Sequence, residues 1–411
     1  MNLKTLTKNK ALPSFCTSNL TVLNLLVKFC KKNKLPLLIE TTSSQVNQFG
    51  GYTNKTPLQF NKILSKLIKK EKFNSKGIFF GGDHLGPLPW KNFDSHKALK
   101  NSVKLIDAYL KTNYSKIHID TSIKCSDDKD LSNDIVFQRT KYILKNLKFQ
   151  KKLKDVYLVF GTEVPLSGGN DNSKIKPTSI KQVIEEYKNF KNLLQKKKLE
   201  YKNFGLVIEP GMKFMHRSIT KPNLKKFSEY KKFSKKNNFV FEAHSTDYQD
   251  LPTLKTLVEN NFKFLKVGPE LTFYLFKSLI FMETLEKKFF KKKSNFQNII
   301  FKQMLSQNKY WKSYHNIKSK NIKVDILNSN FDRTRYYFED SKVKKSINIL
   351  KENINKIDQE KLTKFLNKNK NLNNLNISTQ YNLDNYNFIS LCFLDYTFSK
   401  YYNACGFKTL D

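Results

Sequence analysis

The chain has 411 residues, 39% of them hydrophobic, which is enough for a large buried core and too apolar for disorder, and no run of about 18 apolar residues offers a membrane span. Its formal net charge of +40 admits a polyanion-binding protein, but only four of the 75 basic residues are arginines (Arg139, Arg217, Arg333 and Arg335). The lysines are spread along the whole chain rather than gathered on one stretch, so a lysine-rich composition is the preferred reading and nucleic acid is not expected as a partner.

Five widely spaced cysteines without a CxxC pair read as reduced thiols of a cytoplasmic protein, neither a disulfide framework nor a zinc ribbon. Near the N-terminus, the apolar stretch 21–30 is interrupted by Asn24 and Lys28 and has no small-residue cleavage site after it, so no signal peptide is expected. From there, short apolar runs recur at 13–16, 35–39, 77–80, 117–119, 156–160, 204–208, 239–241 and 262–265. Most are continuous rather than alternating, as befits parallel strands covered on both faces. Between them, amphipathic patterns predict helices at 58–72, 95–111, 135–147, 180–199 and 251–260, with 271–290 as the eighth barrel helix. Eight strand–helix units favour an α/β fold closed as a (β/α)8 TIM barrel over an open doubly wound sheet. The expected organisation is a barrel over residues 1–290 and a mainly helical C-terminal extension over 291–411, packed on the barrel. In the extension, helices are expected at 296–307, 343–354, 359–367 and 386–402, and the Asn- and Lys-rich stretch 367–376 reads as a linker.

The chemistry of such a barrel sits at the C-terminal ends of its strands. Run two ends in Glu40, run three in Gly81-Gly82-Asp83-His84, run four in Asp120 and run five in Gly161-Thr162-Glu163. Run six ends in Glu209, run seven in Glu242-Ala243-His244-Ser245 and run eight in Lys266-Val267-Gly268. Seven of the eight runs therefore bring an ionisable residue to one rim.

Asp83, Glu163 and Glu209 are the candidate catalytic carboxylates, with Asp83 or Glu163 as the base. His84 and His244, with Glu242, are candidate ligands of a divalent metal, zinc or manganese, that would polarise a sugar carbonyl and stabilise an enediolate. The competing reading of these histidines is a hydrogen-bonded tie between loops. His118, inside run four, reads as a core histidine. Ser245 and Gly268 follow runs seven and eight, where this fold often cradles phosphate. Arg333 and Arg335 stand together in a chain that otherwise uses lysine, which suggests a planar fork for phosphate, or else a buried salt bridge to Asp332. Glu40, Asp120 and Lys266 complete the substrate-facing set.

Seven segments also carry a family resemblance: 39–53 (IETTSSQVNQFGGYT), 81–87 (GGDHLGP), 116–128 (KIHIDTSIKCSDD), 161–169 (GTEVPLSGG), 241–249 (FEAHSTDYQ), 265–273 (LKVGPELTF) and 332–337 (DRTRYY). In this order, over about residues 13–405, the chain resembles the GatZ/KbaZ subunit family of class II D-tagatose-1,6-bisphosphate aldolase. The resemblance implies a TIM barrel acting with a catalytic subunit of the GatY/KbaY type in galactitol or N-acetylgalactosamine breakdown. It also implies that Asp83-His84 matches the proton-transfer aspartate and metal-ligand histidine of class II aldolases. A stand-alone metal-dependent ketohexose-phosphate 4-epimerase or aldolase is the alternative, and a polyanion-binding protein a remote one. Some members carry a tagatose-6-phosphate kinase label, for which this sequence offers no GxxxxGK[ST] loop. Thr121, Lys213 and Glu270 depart from the family pattern, standing where cysteine, an acidic residue and a small residue are common.

Overall fold

The computed structural model describes residues 2–161, 177–199, 204–223, 227–315, 319–368 and 381–409. Eight parallel strands close a barrel: β1 (Leu12–Cys16), β2 (Leu37–Thr42), β3 (Ile78–Leu85), β4 (Lys116–Ile119), β5 (Tyr157–Phe160), β6 (Phe204–Val207), β9 (Val240–Ala243) and β10 (Phe262–Val267). β1 pairs with both β2 and β10, which seals the cylinder. A two-stranded antiparallel hairpin, β7 (Lys213–Phe214) and β8 (Ile219–Thr220), projects from the loop after β6 and was not signalled by the apolar rhythm. All eight apolar runs of the sequence lie on barrel strands.

The strands alternate between two cores, because successive side chains point to opposite faces. Phe15, Leu37, Ile39, Ile117, Leu158, Leu206, Phe241 and Leu265 point outward into the large core beneath the helices. Leu12, Leu38, Phe79, Tyr157, Val159, Val207 and Phe264 point inward and fill one end of the barrel, with Leu3 and Leu6 of α1 (Leu3–Asn9) closing that floor. The next inward layer is charged and carries the site.

The barrel helices are α2 (Leu20–Lys32), α3 (Pro57–Lys70), α4 (Ser95–Leu110), α5 (Asn133–Asn146), α6 (Ile180–Lys196), α7 (Phe227–Lys236), α8 (Leu251–Glu259) and α9 (Pro269–Phe289). Their starts follow local chemistry. Thr56 with Gln59, and Ser179 with Gln182, form reciprocal capping boxes at α3 and α6, and Pro57 occupies the first turn of α3, where no amide partner is lost. The apolar stretch weighed as a leader is α2, a helix buried along Val22, Leu23, Leu25, Leu26 and Phe29.

The later helices are α10 (Phe296–Ser306), α11 (Ile322–Leu327), α12 (Ser341–Asn355), α13 (Gln359–Lys368) and α14 (Asn385–Ala404), so the part that follows the barrel is mainly helical as expected. α14 returns to the barrel and packs against α9, α8 and α2. There Phe398 meets Phe15 edge-on at 5.8 Å, and the Tyr402 hydroxyl donates to the Pro36 carbonyl at 2.7 Å. Most of the expected 367–376 linker lies outside the described residues. Among the described residues, no helix is long and apolar enough to cross a membrane.

Candidate functional site at the barrel mouth

The inward positions toward the C-terminal rim hold an ion network rather than apolar layers. Glu40 on β2, Lys116 on β4, Glu242 on β9 and Lys266 on β10 project into the bore, and Gly81 on β3 makes room for them. A Cβ at Gly81 would stand 2.7 Å from Glu40 Cγ, which no side chain tolerates. Lys116 Nζ lies 2.6 Å from Glu40 Oε1 and 2.6 Å from Glu242 Oε2. Lys266 Nζ lies 2.7 Å from Glu40 Oε2 and 3.0 Å from Glu242 Oε1, and it also contacts Asp83 Oδ1. Each cation thus bridges two or three carboxylates, the arrangement a buried charge needs.

Above this layer the β3 strand is irregular. Its register with β4 shifts between Gly82 and Leu85, and His84 takes a left-handed backbone (φ 46°). A bulge of this kind re-aims consecutive side chains, and here both Asp83 and His84 reach the mouth. Gly86 completes the local geometry, because a Cβ there would collide with the Asp120 carbonyl oxygen at 1.6 Å.

His84 Nδ1 is 2.7 Å from Asp120 Oδ2, and Asp120 Oδ1 accepts from the Ser122 hydroxyl at 2.6 Å. His118 Nδ1 is 2.9 Å from Asp83 Oδ1, and His244 Nε2 is 2.8 Å from Glu242 Oε1. The three imidazole rings form a triangle with centroids 4.8, 5.1 and 5.2 Å apart. One ligand atom each from Asp83, His118, Glu242 and His244 lie within 4.8 Å of one another, so these four buried residues could hold a metal ion. His118 Nε2 and His244 Nδ1, both buried, make no hydrogen bond.

The charges set the protonation states. Burial opposes ionisation of Asp83, but His84 and Lys266 outweigh it and hold its carboxyl well below the usual range. Burial and the two lysines act in the same opposed way on Glu242, which is also held low. Burial disfavours the His84 imidazolium, yet Asp83 and Asp120 raise its pKa above the ordinary value. Burial, with Lys266 second, pushes His244 down to about 3, leaving a neutral ring suited to ligation.

A cavity of about 190 Å³ opens over this cluster, lined by Asp83, His84, His244 and Lys266 together with Arg333 and Arg335. Arg335 lies on the short turn Arg333–Tyr337 after α11 and donates to the backbone carbonyls of Phe331 and Asp332, the latter at 2.6 Å. Its partners are thus carbonyl oxygens, while the Asp332 carboxylate is taken up by the hydroxyls of Thr272 and Thr334. Arg333 lies flat on the Tyr314 ring, 3.4 Å from its centroid, and both guanidinium groups approach the Tyr336 hydroxyl, at 3.3 and 3.2 Å.

The structure sorts the sequence-derived candidates. Asp83, His84, His244, Ser245, Lys266, Gly268, Arg333 and Arg335 line one cavity. Glu40 and Glu242 lie in the ion layer below it, fully buried, rather than facing a ligand. Asp120 stands behind His84 and orients it. His84 is outside the four-residue group, and its Nδ1 is engaged by Asp120. Glu209 turns back on its own loop, where Oε1 accepts the amides of Gly211 at 2.8 Å and Met212 at 3.2 Å, and it does not line the cavity. Gly268 was expected to offer its amide to phosphate, but that amide donates to Asp247 Oδ1 at 2.9 Å, as does the amide of Glu270. A carboxylate of the chain itself thus caps the start of α9, where an anion would sit. Glu163 lies outside the described residues.

Sequence reasoning missed Lys116 and Cys16, and it read His118 only as a core residue. The two-residue spacing of Lys116, His118 and Asp120 on one inward face was the available signal. Of the departures from the family pattern, Thr121 bonds Val136 O and Thr140 in the core, and Glu270 pairs with Lys400 of α14 at 2.6 Å.

The chain matches, over residues 1–405, the family model described as D-tagatose-1,6-bisphosphate aldolase subunit GatZ/KbaZ-like. It is 33% identical over 358 residues to the D-tagatose-1,6-bisphosphate aldolase subunit GatZ of Escherichia coli strain 536, covering 84% of this chain and 85% of that one. The same subunit from Escherichia coli strain UTI89 is 32% identical with the same coverage. Among solved structures, a probable tagatose 6 phosphate kinase from Sinorhizobium meliloti 1021 superposes with a TM-score of 0.83 at 25% identity, covering 96% of this chain and all of that one.

Proposed function

The chain belongs to the D-tagatose-1,6-bisphosphate aldolase subunit GatZ/KbaZ-like family, and from that premise we propose that it is a subunit of a tagatose-bisphosphate aldolase that binds a ketohexose phosphate at its barrel mouth and works with a catalytic subunit of the GatY/KbaY type. The observation that carries the ligand reading is that Asp83, His84, His244 and Lys266 line the same cavity as Arg333 and Arg335. The arginines would bind the phosphate, and the acid–base groups would face the sugar carbon chain.

A second reading is favoured by the completeness of that cluster: the chain is a metal-dependent ketohexose-phosphate epimerase or aldolase in its own right. Asp83, His118, Glu242 and His244 would hold a zinc or manganese ion. Their mixed nitrogen and oxygen donors suit either ion, and the unpartnered buried ring nitrogens of His118 and His244 support that fit. Such an ion, when bound, would supply positive charge to a sugar oxygen. The chain's own groups would do the rest. Asp83, ionised at neutral pH, would give one oxygen to that ion and use its other oxygen as the base that accepts a carbon-bound or hydroxyl proton. His84, held by Asp120, would donate a proton toward the cavity.

Both readings are tested by assaying the purified chain against tagatose 1,6-bisphosphate and ketohexose monophosphates, with and without divalent metal and an added GatY-type subunit. Turnover by the chain alone, lost in Asp83→Asn, selects the second reading. Stimulation of the added subunit, with none alone, selects the first. No effect in either format refutes both.

A further inference from the structure

The position of Lys266 is at odds with a freely available metal site. Its ammonium lies within ion-pair distance of three carboxylates, at Glu40 Oε2, Asp83 Oδ1 and Glu242 Oε1. Two of these oxygens are the same atoms that meet the histidines, Asp83 Oδ1 with His118 Nδ1 at 2.9 Å and Glu242 Oε1 with His244 Nε2 at 2.8 Å. Lys266 Nζ therefore contacts both carboxylates of the candidate metal group through the same oxygens that meet its two histidines. The geometry points to a tethered cation: the Lys266 ammonium holds the place of a divalent ion on Asp83 and Glu242, and an ion enters only as Lys266 leaves. This inference rests on the reading of Asp83, His118, Glu242 and His244 as a cation site.

The two buried lysines are not equivalent in this respect. Lys116 is fully buried between Glu40 and Glu242 and does not line this cavity, so it remains the fixed counter-charge of the layer. Lys266 lines the cavity, and its four-carbon stem can carry the ammonium upward into it. An ion added beside an unmoved Lys266 would face a like charge in a low-dielectric bore, so displacement is the way to accommodate both. The space that receives Lys266 is the one lined by Arg333 and Arg335. Cation entry would thus add a third positive group to the anion-facing wall. By linkage, an anion in the cavity would strengthen cation binding to the same degree.

The test uses the full chain stripped of metal and titrated with Mn²⁺, followed by the loss of the free-ion paramagnetic resonance signal, with and without inorganic phosphate. The proteins compared are the wild type, Lys266→Met, and the double variant Glu40→Gln Lys266→Met, which removes a carboxylate together with the ammonium and so keeps the charge balance if the single variant fails to fold. Removing the internal competitor is expected to tighten Mn²⁺ binding by about tenfold or more. Phosphate is expected to strengthen Mn²⁺ binding in the wild type and to lose that effect in both variants. Wild-type affinity equal to or greater than that of the folded variants overturns the tethered-cation inference while leaving the metal site standing. Absence of Mn²⁺ binding in every protein overturns the metal site and the inference together.

Discussion

Replacing Lys116 by methionine keeps the length of the side chain and removes the charge that bridges Glu40 and Glu242, each 2.6 Å from its ammonium in a fully buried setting. Breaking a buried ion pair from one side costs about 3–5 kcal/mol, because the partner's desolvation is no longer offset. Here Lys266 would be left to serve three carboxylates alone, so the upper part of that range applies. For a chain of this size the loss corresponds to a fall in Tm of roughly 5 °C or more. Adding Glu40→Gln to Lys116→Met removes the stranded carboxylate, and the pair is expected to recover about half of the lost stability, with a coupling energy on the order of 1–3 kcal/mol. Urea unfolding followed by far-UV circular dichroism and by the fluorescence of Trp90 and Trp311 gives the cycle. Lys116→Met within about 1 kcal/mol of wild type, or simple addition of the two changes, would refute the account of the barrel interior as an obligatory charge network.

Two further outcomes follow from the same geometry. Burial, with Glu270 second, pushes the Asp247 carboxyl up to about 7, from an ordinary value of 3.8. Since the folded value is the higher one, its contribution is fully present below pH 3.8 and is lost as pH rises through 7. Relative to Asp247→Asn, whose side-chain oxygen can still accept the amides of Gly268 and Glu270, wild type should therefore lose up to about 4 kcal/mol across that window. A Tm difference that stays constant between pH 5 and pH 8, on the order of the window set by these values, would contradict this. Elemental analysis of protein loaded with zinc and then desalted should find the ion absent from His118→Ala and His244→Ala and retained in His84→Ala; the opposite pattern would return His84 to the ligand set.

The fold was legible because its signal is periodic and local. Each apolar run needed only its own residues to be read as a strand, and the count of eight argued for closure. The rim residues were legible for the same reason, since they follow the runs directly. What could not be read was which way each side chain turns. Glu209 and Asp120 end their strands as Asp83 does, yet one folds back onto its own loop amides and the other supports a histidine. Those choices depend on Thr178, Ser122 and the β3 bulge, contacts distant in sequence or visible only in three dimensions. Lys116 was hidden by its position at the start of a short run, where a lysine ordinarily marks a surface. The partner of the Gly268 amide was hidden because Asp247 lies 21 residues earlier in the chain.

The last long helix bears on how such a molecule comes to be folded. Phe15 on the first barrel strand is sheltered by Phe398, Tyr401 and Tyr402, residues the ribosome delivers only after the whole barrel has been made. Until then Phe15 and Phe29 face water, and the loop carrying His244 and Ser245 lacks the brace of Tyr401 on Thr246 and of Lys400 on Glu270. A nascent barrel of this design stays sticky and its mouth unset until α14 has been made. A stop codon ahead of Phe398 would therefore be as damaging as a deletion within the barrel.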